Sequence, residues 1–203
     1  MKTKSVVTVL TTLALAHIVG AQEVAPLEEA QKAARKVNAA LPTLSSAPIT
    51  VDADLDKPHL VKGGKGGVMI IPDKKLTAES LANAGATIVP VGQLWMLEVG
   101  IVQDGKLLPA DQLRTVSITD GDKDRSVQLY LLGARRSEQG LPELVIFGKA
   151  EKPLMTVALS ADTGVSQALP LEIAGRKTGE DTAKMDLRLF GRHHTQMSLM
   201  RAE

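Results

Sequence analysis

The sequence predicts a mainly β fold, an antiparallel β-sandwich or barrel preceded by one N-terminal amphipathic helix. From residue 49 onward, short apolar or alternating runs follow one another, separated by turn residues such as Asp104-Gly105 and Thr163-Gly164,. A helical spacing of apolar residues is sustained over a long stretch only once, between residues 26 and 41,. Many short strands joined by such turns are typical of sandwiches, Ig-like or related, and of barrels.

The first 21 residues have the three-part pattern of an export signal. A positive start is followed by an apolar run over residues 6–16, interrupted only by threonines, and small or apolar residues precede a cleavage point before Gln22,. The apolar run is shorter than the roughly 20 residues that span a membrane. We therefore expect cleavage, no integral membrane span afterwards, and export to the periplasm or the extracellular space of a bacterium.

Charge and aromatic content exclude two classes of partner. The chain has 24 basic and 23 acidic residues, and removing the signal with Lys2 and Lys4 leaves a net charge of −1. A near-neutral domain has no field that attracts nucleic acid or an anionic membrane. A single tryptophan, Trp95, and a single tyrosine, Tyr130, cannot form a stacking surface for bases or sugars,.

The chain contains no cysteine, which excludes disulfides, a lipoprotein anchor, zinc–thiolate sites and thiol catalysis. The fold must then be held by burial of apolar surface, and with 2% aromatic residues that core is aliphatic,. Neither asparagine, Asn38 or Asn83, begins an N-glycosylation motif,. These features fit a bacterial envelope protein.

Residues 26–41 predict the amphipathic helix. Pro26 suits a first helical turn, acidic residues follow at the positive end of the helix dipole, and Pro42 ends the helix,. Because alanine dominates its apolar stripe, the helix buries little area and either docks weakly or acts as a spacer. The stripe comprises Leu27, Ala30, Ala34, Val37 and Leu41,.

The chain divides into a signal peptide (1–21), a helix and linker (22–48) and a single all-β domain (49–203). Within the β domain, the run 144–147 is apolar on both faces and predicts a central strand,. Residues 77–85 predict one short helix with a threonine cap and a terminal glycine,. The predicted strands are 49–55, 68–71, 87–91, 94–102, 113–119, 127–132, 144–147, 154–159, 169–173, 183–190 and 197–200,.

Residues 62–67 read Lys-Gly-Gly-Lys-Gly-Gly, which is reminiscent of a phosphate-binding loop. Such a loop ends in Lys-Ser or Lys-Thr and begins a helix, whereas here Val68 begins an apolar strand that ends at Pro72,. We interpret the segment as a flexible loop whose lysines and backbone amides could contact an anionic partner.

Ser166 lies in a degenerate nucleophile elbow, followed in hydrolase order by an acid, Asp181 or Asp186, and by His193 or His194. An elbow must begin a helix, yet a proline follows four residues later, and the alternating strands and helices of that fold are absent,. A turn between strands is the favoured interpretation, and we do not expect an enzyme.

Two acidic clusters could gather a hard cation such as calcium. Neither has the glycine at the sixth position and the carboxylate at the twelfth that an EF-hand loop requires,. We interpret both as solvated surface, with a weak calcium site as the alternative. The clusters are Asp52, Asp54 and Asp56, and Asp120, Asp122 and Asp124.

The C-terminal segment combines imidazole and thioether groups, which suit Cu(I) or Ag(I) in a cysteine-free exported protein. The candidate ligands are His193, His194, Met197 and Met200. Neighbouring residues of a strand point to opposite faces, so the two histidines do not readily reach one ion. Ordinary packing is the favoured interpretation, and soft-metal binding stays open.

Our leading hypothesis is an exported non-catalytic binding or structural module of the cell envelope, with an envelope protein or polymer as its unidentified partner. The contact surface would be an exposed strand edge or the loop at residues 63–67, because an edge offers unpaired backbone groups. The alternative is a periplasmic soft-metal (Cu/Ag) binding protein that uses residues 193–200. Neither hypothesis requires a cofactor.

Overall fold

The computed structural model describes residues 22–41, 47–64, 66–120, 122–162 and 165–202, so the predicted export signal lies outside the described residues. Strands dominate these ranges. In chain order the elements are β1 (Glu23–Val24), α1 (Leu27–Ala39), β2 (His59–Gly63), β3 (Gly66–Pro72), α2 (Ala78–Ala82), β4 (Val89–Leu97), β5 (Val99–Gln103), β6 (Lys106–Leu107), a 3₁₀ turn (Ala110–Gln112), β7 (Arg114–Asp120), β8 (Lys123–Arg136), β9 (Pro142–Phe147), β10 (Met155–Ala158), β11 (Ser160–Ala161), β12 (Leu171–Lys177), β13 (Thr182–Leu189) and β14 (His193–Arg201).

The strands form two antiparallel sheets. The larger sheet has eight strands in the order β1-β2-β3-β4-β8-β9-β10, and β7 pairs with the first part of β8. The smaller sheet has six strands in the order β12-β13-β14-β5-β6, and β11 pairs with β14. The predicted antiparallel β-sandwich is confirmed. In the described part of the chain, no helix is long and apolar enough to cross a membrane.

The core between the two sheets is aliphatic, as the low aromatic content predicts. Leu94 of the larger sheet and Leu187 and Leu199 of the smaller sheet belong to one buried cluster. Tyr130 lies in the same cluster, and burial raises the pKa of its hydroxyl to about 12. That hydroxyl donates a hydrogen bond to Oε1 of Gln128 at 2.8 Å, which satisfies its polar atom,.

The chain first passes from the larger sheet to the smaller between β4 and β5. We predicted strands at 87–91 and 94–102, but β4 continues through Gly92, where the register shifts between Pro90 and Gly92. The break falls instead at Glu98, whose φ of 56° bends the chain from β4 into β5. A left-handed residue at this corner has no signature in the hydrophobic pattern, because Glu98 sits inside an apolar run.

Helix α1 confirms the predicted N-terminal helix and packs on the outer face of the larger sheet. Ala34 and Val37 are buried there in one cluster with Trp95 and Phe147. Leu27, predicted to lie on the buried stripe, is instead 47% exposed. Strand β1 also pairs with β2, so residues 23–39 contact the larger sheet, whereas residues 42–46 of the predicted linker lie outside the described residues.

The predicted strand at residues 49–55 is wrong. Only an isolated bridge between Ala53 and Asp73 forms in this segment. The carboxylate of Asp73 accepts hydrogen bonds from the backbone N–H groups of Asp52 at 2.7 Å and Lys75 at 2.8 Å. A buried side chain therefore supplies partners that a neighbouring strand would otherwise provide.

Two short elements show where local sequence is informative. Helix α2 confirms the predicted helix, because the Thr77 and Ser80 side chains form a capping box with each other's backbone N–H groups,. Strand β2 was not predicted, since its sequence His-Leu-Val-Lys-Gly is short and half polar. It pairs with β3 over its whole length, from His59 opposite Ile70 to Gly63 opposite Gly66.

Candidate functional site

The glycine-rich segment at residues 62–67 joins β2 to β3 in a hairpin in which Gly63 pairs with Gly66, and Lys65 lies outside the described residues. Gly64 has a φ of 58°, a conformation that favours glycine,. At Gly66 an added Cβ would stand 2.6 Å from the carbonyl oxygen of Leu97, so only glycine allows this approach to β4. A strand and not a helix follows the segment, which agrees with the rejection of a phosphate-binding loop.

A groove of about 340 Å³ lies on the outer face of the larger sheet, between this hairpin and α1. Ala33 and Val37 of α1 form one wall, and the hairpin glycines form the mouth. We name this feature the α1 groove. Its apolar floor consists of Leu60, Met69, Trp95, Leu97, Ile118 and Val127.

Strand register assembles the floor of the α1 groove. Met69 of β3 lies opposite Trp95 of β4, which in turn lies opposite Leu129 of β8, so these side chains form a row across one face of the sheet,. Helix α1 covers part of this row through Ala34. The small side chain of Ala33 leaves the adjoining part uncovered, and the groove results.

Trp95 presents an apolar ring to the α1 groove. The residue is 2% exposed, and its indole N–H donates to Oε1 of Gln93 at 3.0 Å. Gln93 is itself buried on the same face, two residues earlier on β4. The polar atom of the indole is thus already satisfied, and the ring needs no polar partner from a ligand.

The charged side chains that line the α1 groove are all basic. Lys36, Lys62 and Arg125 line it, and its described lining contains no aspartate, glutamate or histidine. Lys62 forms an ion pair with Glu29, and Arg125 pairs with Glu98 at 3.4 Å. The groove is thus apolar at its floor and bordered by basic side chains, two of which are paired with glutamates that do not line it.

A second gap lies on the other side of the same hairpin, between the two sheets. Its volume is about 50 Å³, and Gln22 lies in its opening. An added Cβ at Gly175 would overlap Oε1 of Gln22, so the glutamine carboxamide lies directly on the backbone of β12. This gap is too small for a ligand, because small-molecule sites span about 300–1,000 Å³.

The four candidate soft-metal ligands lie on β14 but are not gathered at one point. His193 and His194 are adjacent on a strand and point to opposite faces,. Met197 faces the core at 3% exposure, opposite Met185, and lies about 13 Å along the strand from His193,. His194 and Met200 share the other face of the strand and lie about 20 Å apart along it,.

Burial and nearby charges disfavour protonation of one of these histidines. Burial lowers the pKa of His193, and the charges of Arg136 and Arg192 lower it further. Nδ1 of His194 lies 3.9 Å from the Asp162 carboxylate. The Nδ1 atoms of both histidines are buried and make no hydrogen bond in the described structure.

The first acidic cluster is divided among three separate ion pairs. The side chain of Asp52 pairs with Lys74 at 2.9 Å, that of Asp54 with Lys57 at 3.0 Å, and that of Asp56 with Arg35 at 3.1 Å. Asp52 raises the pKa of Lys74 through this contact. Across the described ranges, no three aspartate, glutamate, histidine or cysteine side chains are grouped to hold a metal ion.

Ser166 is exposed in an irregular segment between β11 and β12. The next described element is strand β12, so no helix follows the serine as an elbow requires,. Among the hydrogen bonds of the described residues, none joins Ser166 to His193 or His194. This arrangement lacks the serine–histidine contact of a hydrolase.

Strands β7 and β10 are two of the edge strands of the larger sheet. The larger sheet pairs β7 only with β8 and β10 only with β9, within the part of the chain that the structure describes. Strand β7 is the longer edge, over Arg114–Asp120. Its Ile118 side chain reaches the α1 groove, so this edge and the groove adjoin.

The fold and the site together define a two-sheet antiparallel β-sandwich with a helix-walled apolar groove on its outer face. Comparison with protein-family models, with curated proteins and with solved structures finds no match for the chain. Sequence reasoning singled out the glycine hairpin but missed the groove, because its floor comes from residues on five strands that are distant in the chain.

Proposed function

We propose that this protein is an exported, non-catalytic binding module of the bacterial cell envelope, and that its ligand occupies the α1 groove. The observation that carries the proposal is the groove itself, an apolar concavity of about 340 Å³ beside a glycine hairpin. Ligand sites are concave and mostly apolar, with a few polar groups that fix orientation, and about 300–1,000 Å³ in volume. The export pattern of residues 1–21 supports the envelope location.

The lining of the groove favours binding over catalysis. Its described residues include no serine, histidine or carboxylate that would serve as nucleophile or general base,. The alternative of a periplasmic soft-metal protein has less support, because His193 and Met197 are far apart on β14 and Met197 is in the core. A partner protein could also extend the sheet along β7, which adjoins the groove,.

Site-specific photo-cross-linking in the cell envelope tests the proposal. A photoreactive amino acid replaces Ile118, at the groove, or Ser198, which is exposed on the smaller sheet and serves as the matched control. We expect a discrete adduct from position 118 and none from position 198. Equal labelling at both positions, or no adduct at either, would contradict a binding role for this face.

A groove-filling variant supports the interpretation of any adduct. Ala33→Leu narrows the α1 groove from the helix side, whereas Ala39→Leu adds the same side chain at an exposed position of the same helix. We expect Ala33→Leu to abolish the adduct at position 118 and Ala39→Leu to leave it unchanged. Both substitutions place a good helix former in a helix, so folding is preserved.

A further inference from the structure

We infer that the ligand of the α1 groove is a single-chain amphiphile with an anionic head, of the fatty-acid class. This inference rests on the proposed function and adds the chemical class of the ligand. An apolar floor and a rim of basic side chains lie in one concavity at the β2–β3 hairpin. That combination matches a molecule with an aliphatic chain at one end and a carboxylate at the other.

The floor requires the aliphatic part. Met69, Trp95 and Val127 are each less than 5% exposed, and they present carbon and sulfur surface to the groove. The single polar atom of the indole ring is already bonded to Gln93. A polar ligand group placed here would lose its water without gaining a partner, whereas an alkyl chain gains from the same burial.

The rim requires the anionic part. Lys36, Lys62 and Arg125 border the groove, and no aspartate or glutamate is among its described lining residues. The ion pairs of Lys62 with Glu29 and of Arg125 with Glu98 are partly exposed, with side chains 32–46% accessible. Such pairs contribute little stability, so these cations can bind a carboxylate at little expense.

The size of the groove limits the ligand to one chain. A volume of about 340 Å³ lies near the lower end of the range for small-molecule sites,. One alkyl chain fits this space, with its head group at the hairpin.

Trp95 makes the inference directly measurable, because it is the only tryptophan and it lines the groove. The exported protein, stripped of bound lipid, is titrated below the micellar concentration with dodecanoate carrying a bromine near its chain end, and tryptophan fluorescence is recorded. We expect saturable quenching. Butyrate should give none, since it lacks a chain to fill the floor, and brominated dodecanol should bind about tenfold more weakly without a charge.

Variants separate the two parts of the site. Ala33→Leu should reduce dodecanoate affinity at least about tenfold, whereas Ala39→Leu should not change it. The double variant Lys36→Gln with Lys62→Gln should weaken dodecanoate but leave dodecanol unchanged. Unaltered far-ultraviolet circular dichroism shows that each variant is folded, and Lys36→Gln alone, at an exposed helix position, is the milder second variant.

Together, the quenching and cross-linking experiments distinguish a wrong ligand class from a wrong proposed function. Equal affinity for dodecanoate and dodecanol would overturn the anionic head group. No saturable quenching by either, together with a protein adduct at position 118, would overturn the amphiphile and leave a protein-binding module, whose partner could present an acidic apolar peptide. No quenching and no adduct would remove both the inference and the proposed function.

Discussion

The backbone N–H of Ile173 donates a hydrogen bond to Nδ1 of His59 across 3.2 Å. Ile173 belongs to edge strand β12 of the smaller sheet, and His59 belongs to β2 of the larger one. A side chain therefore joins the two sheets at an edge where they share no strand pairing. The bond needs an imidazole with an unprotonated Nδ1, because a protonated ring carries hydrogen on both nitrogens.

This contact predicts that the protein loses stability as the pH falls. Burial lowers the pKa of His59 below its ordinary value of 6.5, although the nearby carboxylate of Glu172 acts in the opposite direction. Between the lowered pKa and 6.5 the unfolded chain binds more protons than the folded one. The stabilisation is therefore fully present above pH 6.5 and is lost as the pH falls through the folded pKa,.

Urea unfolding at a series of pH values from about 5 to about 8 tests this. His193 contributes in the same direction because its pKa is also lowered, so the comparison is made in a His193→Asn background. In that background, His59→Asn keeps a neutral acceptor and should flatten the pH dependence of the free energy of unfolding. A slope as steep as that of the parent would show that His59 is not responsible.

We expect a larger side chain at Gly66 to clash with β4 and to lower the stability of the fold. Gly66→Ala places a Cβ 2.6 Å from the carbonyl oxygen of Leu97, so we expect the free energy of unfolding to fall by about 1–3 kcal/mol,. Gly85→Ala is the matched control, because its Cβ would meet no atom within 4 Å. That change should be neutral or stabilising by less than about 1 kcal/mol. Equal urea midpoints for the two variants would contradict the close approach.

We expect substitution of Asp73 to lower the free energy of unfolding, because its carboxylate accepts two hydrogen bonds. The residue is 6% exposed, and its carboxylate bonds the N–H groups of Asp52 and Lys75. Asp73→Ala leaves these groups without a partner and should lower the free energy of unfolding by about 1–3 kcal/mol. Asp122→Ala, at an exposed turn, should change it by less than about 0.5 kcal/mol,. Thermal unfolding that is the same for both variants would exclude the role.

We expect substitution of Met197 to change the stability of the fold but not the affinity for silver. Met197→Ala removes a core side chain and should lower the free energy of unfolding by about 2–5 kcal/mol, measured with urea,. Met197→Leu conserves the volume and should fold normally. Because Met197 lies in the core, far along β14 from His193, we expect calorimetric titration of Ag(I) to give the same result for Met197→Leu and the parent. A loss of silver affinity in that variant would instead support the soft-metal hypothesis.

Much of the fold could be predicted where local chemistry is decisive. Thr77 caps α2, and the strand with Val145 and Ile146 is apolar on both faces and indeed has neighbours on both sides. Prediction failed where a distant residue decides the conformation. The carboxylate of Asp73 replaces a strand near Ala53, and the left-handed Glu98 redirects the chain inside an apolar run.

The sequence by itself determined the class of fold, an antiparallel β-sandwich with one N-terminal helix, because period and turn chemistry are local properties. It also limited the core to aliphatic side chains. The α1 groove was decided only by the tertiary structure. Ala33, Met69, Trp95 and Arg125 are widely separated in the chain, and only strand register and the docking of α1 bring their side chains to one surface.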